Sequence, residues 1–263
     1  MSDTYHFEAG STPLLISIPH LGSLIPDEQA PDMTAIGLSS ADTDWHLDRL
    51  YAFGRALGAS FLWARYSRYV VDLNRPPNDA SLYPGQAKTG LCPTHTFDGQ
   101  PLYLDGRDAI SETERESRRV RYWQPYHDQL RAEIERLRAR HGKVLLWEGH
   151  SIASVIPRLF DGKLPDLNIG TASGASAARA VQDAIQQALE QQAGYSWVVN
   201  GRFQGGYITR HYGDPERQIH AVQLEMCQST YMEERPPYAW DGALAAAASG
   251  AVETLVRAAL DAI

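Results

Sequence analysis

Two histidines end short apolar runs of this sequence: His20 follows Leu14-Leu15-Ile16-Ser17-Ile18-Pro19, and His150 follows Val144-Leu145-Leu146-Trp147-Glu148-Gly149. Two imidazoles and one carboxylate are the usual protein ligands of a hydrolytic zinc site, whose open position is left to water or substrate. Such an ion lowers the pKa of its water to ~7 and polarises a scissile carbonyl. A carboxylate to complete the set is on offer in Asp42-Thr43-Asp44-Trp45-His46-Leu47-Asp48-Arg49. On a helix, Asp44 and Asp48 share one face, and like charges so placed are unfavourable unless a cation lies near them. Asp44 is preferred as the third ligand because it lies nearer the helix N-terminus, where the dipole favours a carboxylate. Asp48 and Glu148 remain open alternatives, and His46 points off that face. The plainer alternative is two structural histidines and a solvated acidic helix.

Three further groups bear on an anionic substrate. Val70-Val71-Asp72-Leu73 leads into Asn74-Arg75-Pro76. The proline holds Arg75 extended, and its planar fork can grip a carboxylate at two points while Asn74 adds a donor. Glu225 falls inside the apolar strand Ala221–Met226. A carboxylate there is costly unless used or paired, and burial would raise its pKa into the range of a general base and acid. Residues 201–213 pack glycines, aromatics and arginines into one loop that could bring Arg202, Tyr207 or Arg210 to an anion. A rival chemistry is visible as well. Gly149-His150-Ser151-Ile152-Ala153 imitates the nucleophile elbow of serine hydrolases, with Ser151 as nucleophile, Asp161, Asp166 or Asp214 as acid, and His211 or His220 as base. That reading leaves His20, Asp44 and Asn74-Arg75 without work.

The elements that must position these residues follow from pattern. Strands are expected over 14–18, 59–63, 69–73, 144–147, 197–199 and 221–225. Helices are expected over 42–56, 112–140 (broken near Pro125), 175–192 and 244–263, with a long irregular segment over 76–110. Alternating strands and helices predict a single domain, 1–263, of the α/β class: a three-layer α/β/α arrangement around a mixed, mostly parallel sheet. In such sheets ligands collect at the carboxyl ends of strands, where His20, Asn74-Arg75, Glu148, His150 and Glu225 are placed.

Composition narrows the classes. With 24 Lys+Arg against 32 Asp+Glu the net charge is −8, and without a basic run neither nucleic acid nor an anionic membrane is an expected partner. Two cysteines in no CxxC pattern suggest neither a disulfide framework nor a thiolate metal site. The start, Met1–Glu8, lacks a basic region followed by an apolar run, and no window is expected to span a membrane, so the cytoplasm is the default compartment.

Taken in order, Ile18-Pro19-His20-Leu21-Gly22, Asp44–Tyr51, Val71-Asp72-Leu73-Asn74-Arg75-Pro76, Tyr122-Trp123-Gln124-Pro125-Tyr126-His127, Gly149-His150-Ser151, Gly205-Gly206-Tyr207-Ile208-Thr209 and Leu224-Glu225-Met226 span residues 13 to about 232. With these motifs the chain resembles the N-formylglutamate amidohydrolase (deformylase) family, itself similar to zinc carboxypeptidases and aspartoacylases. The resemblance implies a phosphorylase/hydrolase-like fold and one divalent ion, expected to be zinc, on His20, His150 and a carboxylate of the 42–56 segment. It implies Asn74-Arg75 as the clamp for a substrate carboxylate and Glu225 as general base. Zinc carboxypeptidases take their glutamate three residues after the first histidine, where this chain has Ser23, so the carboxylate must come from Asp44, Asp48 or Glu148. The implied reaction is hydrolysis of a small anionic N-acyl amino acid, N-formyl-L-glutamate, to glutamate and formate, the last step of one route of histidine breakdown. Arg65 or Arg68 would serve the oxyanion.

Overall fold

The computed structural model describes residues 4–80 and 89–263. Seven strands form one sheet: β1 Tyr5–Glu8, β2 Leu14–Ile18, β3 Ser60–Ala64, β4 Val144–Ile152, β5 Leu167–Gly170, β6 Trp197–Val199 and β7 Ile219–Cys227. Their spatial order is β1-β3-β2-β4-β7-β5-β6. The central strands β3, β2, β4 and β7 run parallel, while β1 and β5 each meet a neighbour antiparallel. The helices, in order, are α1 Ala35–Leu38, α2 Leu47–Leu50, α3 Glu112–Arg118, α4 Gln124–His141, α5 Arg179–Gln191, α6 Tyr207–Tyr212 and α7 Gly242–Asp261. The mixed, mostly parallel α/β architecture is the one the patterning predicted.

Side chains alternate across a strand, so the two faces of the sheet can be read by parity. On one face Leu14, Ile16, Ile18, Leu145, Trp147, Val222, Leu224 and Met226 pack with Leu47, Val181, Ile185, Val252 and Leu255 of α2, α5 and α7. On the other, Leu15, Val144, Leu146, Ile219 and Ala221 pack with Tyr126, Leu130, Ile134 and Leu137 of α4 and Ile208 of α6. The sandwich is therefore three-layered. On this second face the apolar residues occupy the amino-terminal halves of β2, β4 and β7. The same parity continues as Ser17, Glu148, His150, Gln223 and Glu225, all buried. Register places Ser17 opposite Glu148, Glu148 opposite Gln223, and His150 opposite Glu225.

Several expectations are corrected. The 42–56 helix does not form: His46 adopts a left-handed conformation at φ 63°, and only Leu47–Leu50 and a tight turn over Ala52–Arg55 are helical. Asp44 and Asp48 thus share no helical face. Residues 69–73 are not a strand but a buried turn, with Val70 N–H donating to Ser67 O and Asp72 N–H to Leu91 O. β4 and β7 run past their predicted ends, so Glu148 and His150 lie within β4. Strands β1 and β5 were unexpected. Residues 207–212 of the supposed loop are helical. Pro125 does not break the helix. It sits in the first turn of α4, and α3 joins α4 through a π-helical turn over Arg119–Trp123. The irregular 76–110 segment has no helix or strand where described; residues 81–88 lie outside the described residues. Contrary to expectation, α7 is long and apolar enough to cross a membrane by length and composition. Its Ala245, Ala248, Val252, Leu255, Val256 and Ala259 are buried in the core beside α5.

Candidate metal centre and active site

β2 ends two residues before His20, whose carbonyl accepts the Asp44 N–H at 3.0 Å. The turn carrying Asp44 is pinned further by Gln228 Nε2, which donates to Thr43 O at 3.0 Å, and by the Ser151 N–H, which donates to Asp44 Oδ2 at 3.2 Å. His150 Nδ1 and His20 Nδ1 lie 3.3 and 3.8 Å from Asp44 Oδ2. Each of the three residues offers a ligand atom within 4.8 Å of the others, and all are buried.

The opposite edges of the two rings are held from behind. His20 Nε2 bonds Asp72 Oδ1 at 2.7 Å, and Asp72 Oδ2 accepts from Arg68 Nη2 at 2.7 Å. His150 Nε2 is 3.4 Å from Glu148 Oε2 and 3.2 Å from Asn74 Nδ2. Imidazoles that ligate a metal typically donate their other N–H to a carboxylate, which fixes tautomer and ring orientation. Asp72 and Glu148 stand where such carboxylates are needed. Two buried atoms of the cluster, His20 Nδ1 and Asp44 Oδ1, have no hydrogen-bond partner among the described residues. Buried polar atoms are nearly always satisfied, so orphans on two members of one compact His-Asp-His cluster fit a cation. The donor set, two imidazole nitrogens and a carboxylate, is that of a hydrolytic zinc site.

The electrostatics separate the two rings. Burial, aided by the Arg68 charge, pulls His20 down to about 4 against the pull of Asp72. Burial also opposes the charge on His150, but its bonds to Asp44 and Glu148 outweigh it and carry the ring up to about 10. Burial raises Asp72 too, yet Arg75, His20 and Arg68 together hold it well below the ordinary carboxylate range. Glu225 is pushed up to about 7, chiefly by burial and against the attraction of His150. Gln223 Nε2 donates to its Oε2 at 3.4 Å.

The remaining expected residues are distributed less uniformly. Asp48 is exposed and outside the cluster. Asn74 is buried with Oδ1 accepting the Ile208 N–H at 2.8 Å, so it ties α6 to His150. Arg75 is beside Asp72, but its Nε and Nη2 donate to Thr89 O and Thr89 Oγ1 at 3.0 and 2.9 Å, so Thr89 holds the edge a carboxylate would grip. Tyr207 stacks on His211 at 4.8 Å and packs near Trp123; with Arg210 it lines an open cleft of about 510 Å3 beside Pro76 and Pro77. The Arg202 guanidinium lies 5.9 Å over the Phe203 ring. Of the two oxyanion candidates, Arg68 is buried against Asp72, whereas Arg65 is half-buried past β3.

The serine reading fails on geometry. β4 runs straight through Ser151 to Ile152 without an elbow. Ser151 Oγ meets Tyr231 OH at 2.7 Å and Gln228 Nε2 at 3.5 Å. His220 Nδ1 instead accepts the Ala178 N–H, and Asp214 caps its own turn. Sequence pattern assigns no role to Asp72 or Gln223, which lie against His20 and Glu225. A buried-carboxylate argument of the kind applied to Glu225 would have reached Asp72, since it ends the apolar pair Val70-Val71.

The N-formylglutamate amidohydrolase family matches residues 12–232. N-formylglutamate deformylases of Pseudomonas putida and Pseudomonas aeruginosa are 49% and 47% identical to this chain over 260 residues, covering 99% of it and 97% of each relative. Among solved structures, an N-formylglutamate amidohydrolase of Ralstonia eutropha superposes with a TM-score of 0.82 at 23% identity, covering 98% of both chains. A protein of Agrobacterium tumefaciens does so at 0.73 and 22%, covering 98% of this chain and 95% of that one. At those identities the two structures speak for the fold alone.

Proposed function

Since the chain belongs to the N-formylglutamate amidohydrolase family and is a hydrolase acting on an amide, we propose that it hydrolyses N-formyl-L-glutamate to L-glutamate and formate with one divalent ion, zinc, held by His20, Asp44 and His150. The observations that carry the metal part of this reading are the buried cluster of His20, Asp44 and His150, whose ligand atoms lie within 4.8 Å of one another, and the orphaned His20 Nδ1 and Asp44 Oδ1 within it. When bound, the ion would polarise the formyl carbonyl and acidify a water molecule.

The chain's own residues would do the rest. Glu225, held near neutrality by burial, accepts a proton from the attacking water and returns it to the departing amine nitrogen. Asp72 and Glu148 hold the two imidazoles in register. Arg68, buried and already paired to Asp72 behind His20, is the permanent cation assigned to the developing oxyanion. Arg75, with Asn74 beside it, takes a substrate carboxylate by exchanging its Thr89 contacts for it. Arg202, Tyr207 and Arg210 form the outer part of the substrate site, toward the second carboxylate. The reading takes residues 1–263 as one catalytic unit, in the cytoplasm, at the last step of one route of histidine breakdown.

The test is formate release from N-formyl-L-glutamate before and after chelation, with zinc and other divalent ions restored and N-acetyl- and N-succinyl-glutamate in parallel. Loss on chelation, recovery with metal and preference for the formyl substrate are expected. Chelator-resistant turnover would remove the metal from the mechanism, and preference for a longer acyl group would change the substrate.

A further inference from the structure

The motif Tyr122-Trp123-Gln124-Pro125-Tyr126-His127 has no place in the chemistry above, yet two of its side chains reach the substrate clamp from behind. Trp123 Nε1 donates to Arg75 O at 3.0 Å. His127 Nε2 bonds Leu73 O at 2.8 Å. Between them, Asn74 O accepts from Arg75 Nη1 at 3.0 Å. Three consecutive carbonyls, those of residues 73, 74 and 75, are thus each fixed in a stretch that is neither helix nor strand.

The helix is built to make these contacts. The π-helical turn over Arg119–Trp123 adds a residue to one turn and so changes which side chains face the sheet, a device that recurs at functional sites. Trp123, the last residue of that turn, and His127 of α4 are one helical turn apart and stack with ring centroids 3.7 Å apart. The His127 tautomer is settled by its partners. Leu73 O can only accept, so Nε2 carries the proton, and Nδ1 accepts from Tyr212 OH at 3.0 Å. Burial also drives the His127 pKa down to about 3, so the ring stays neutral. A neutral, fully hydrogen-bonded imidazole clamped between an indole and a tyrosine is a fixed strut, not a proton carrier.

We infer that Trp123 and His127 are positioning residues: they hold the backbone of Leu73-Asn74-Arg75 so that the Arg75 guanidinium meets the substrate carboxylate. The inference rests on the proposed role of Arg75 as that clamp. Neither side chain touches the metal cluster directly, so loosening them should affect substrate affinity more than the chemical step.

The experiment uses full-length zinc-loaded enzyme and three variants. Trp123→Phe keeps an aromatic stack and deletes the donor to Arg75 O. His127→Phe does the same at Leu73 O, and His127→Gln restores an N–H donor. Measured for each are kcat and KM for N-formyl-L-glutamate, Kd for L-glutamate, and zinc affinity by chelator competition. Loss of one buried hydrogen bond predicts KM and the glutamate Kd raised about three- to ten-fold in each Phe variant. Zinc affinity and kcat should stay within about two-fold, with partial recovery in His127→Gln. If His127→Phe does not fold, Trp123→Phe decides alone. An unaltered KM in Trp123→Phe, or a kcat loss at unchanged KM, overturns the positioning role. A wild-type protein that releases no formate from N-formyl-L-glutamate instead overturns the reading on which it rests.

Discussion

The two faces of one sheet are treated very differently. The face under α2, α5 and α7 is largely hydrocarbon, with Ile18, Trp147, Leu224 and Met226 continuing the apolar row, and its buried polar side chains on β4 and β7 are the uncharged Ser151 and the imidazole of His220. The face under α4 and α6 is apolar only in its lower half and then buries Ser17, Glu148, His150, Gln223 and Glu225. Burying a carboxylate is expensive unless it is paired or used, so the second face gives up stability that the first retains. Parity alone keeps the two apart: a one-residue slip of β4 would exchange Trp147 for Glu148.

The comparison can be broken most sharply at the metal cluster. On the proposed metal reading, His150→Ala should abolish divalent-ion binding and lower kcat by about a thousand-fold or more, since a catalytic ion of this kind supplies several kcal/mol of charge stabilisation. Retained activity in metal-free His150→Ala, checked by metal analysis alongside turnover, would end the metal reading. Glu225→Gln should keep the metal yet lose about 100- to 10,000-fold in kcat. It should not lose stability, because the folded-state pKa of Glu225 lies near 7, above its ordinary value of 4.5. The ionised form is therefore disfavoured in the folded protein, and the penalty grows as pH rises from about 4.5 to 7. In apo protein the Tm of Glu225→Gln relative to wild type should rise over that interval.

The other face should behave in the opposite way. Leu224→Ala, at a fully buried position of β7, should cost about 2–5 kcal/mol of stability by leaving a cavity. Its kcat at a temperature where it remains folded should stay within about two-fold of wild type, and chemical denaturation beside turnover tests the pair. Between these lies Asp72→Asn, which removes the carboxylate behind His20 and should weaken zinc about 10- to 100-fold in chelator competition. Smallest of all is Ser151→Ala. Tyr231 OH keeps a second acceptor in Trp45 O at 2.9 Å, so little should change. A collapse of kcat there would revive the serine nucleophile.

Much of this was legible beforehand, for a physical reason. Apolar runs that end in a histidine or enclose a glutamate mark strands whose last residues are wanted for something other than packing, and His20, His150 and Glu225 stand out as candidates on that ground, all three buried at one side of the sheet. What could not be read was the path of irregular chain. A helix-dipole argument favours Asp44, but the helix it assumes does not form there. The residue lies in a turn fixed by His20 O, Gln228 and Ser151, partners far away in sequence. The apolar lead-in marks Asp72 as a costly carboxylate, but its partners do not show in the pattern: residues 69–73 read as a strand by β-propensity, whereas tertiary contacts fold them into a turn that sets Asp72 against His20 and Arg68. Residue type singles out Arg75, but its hydrogen bonds to Thr89 are contacts that no local pattern reports. Local pattern reports periodic elements well; it has no access to hydrogen bonds made across the fold.

The sheet topology carries a kinetic consequence. β2 pairs with β4 across Leu14 and Leu145, and β4 with β7 across Val144 and Ile219, so none of the three strands bearing the site can find its neighbour through a tight hairpin. Long loops must close before any of these pairings is rewarded, which makes such topologies slow to fold. Until β4 has found both neighbours, His20, His150 and Glu225 are three unrelated points on a fluctuating chain. Fresh polypeptide therefore passes through a period in which hydrophobic strand edges are exposed before the His-Asp-His cluster is assembled, and that interval is where misassembly competes with folding.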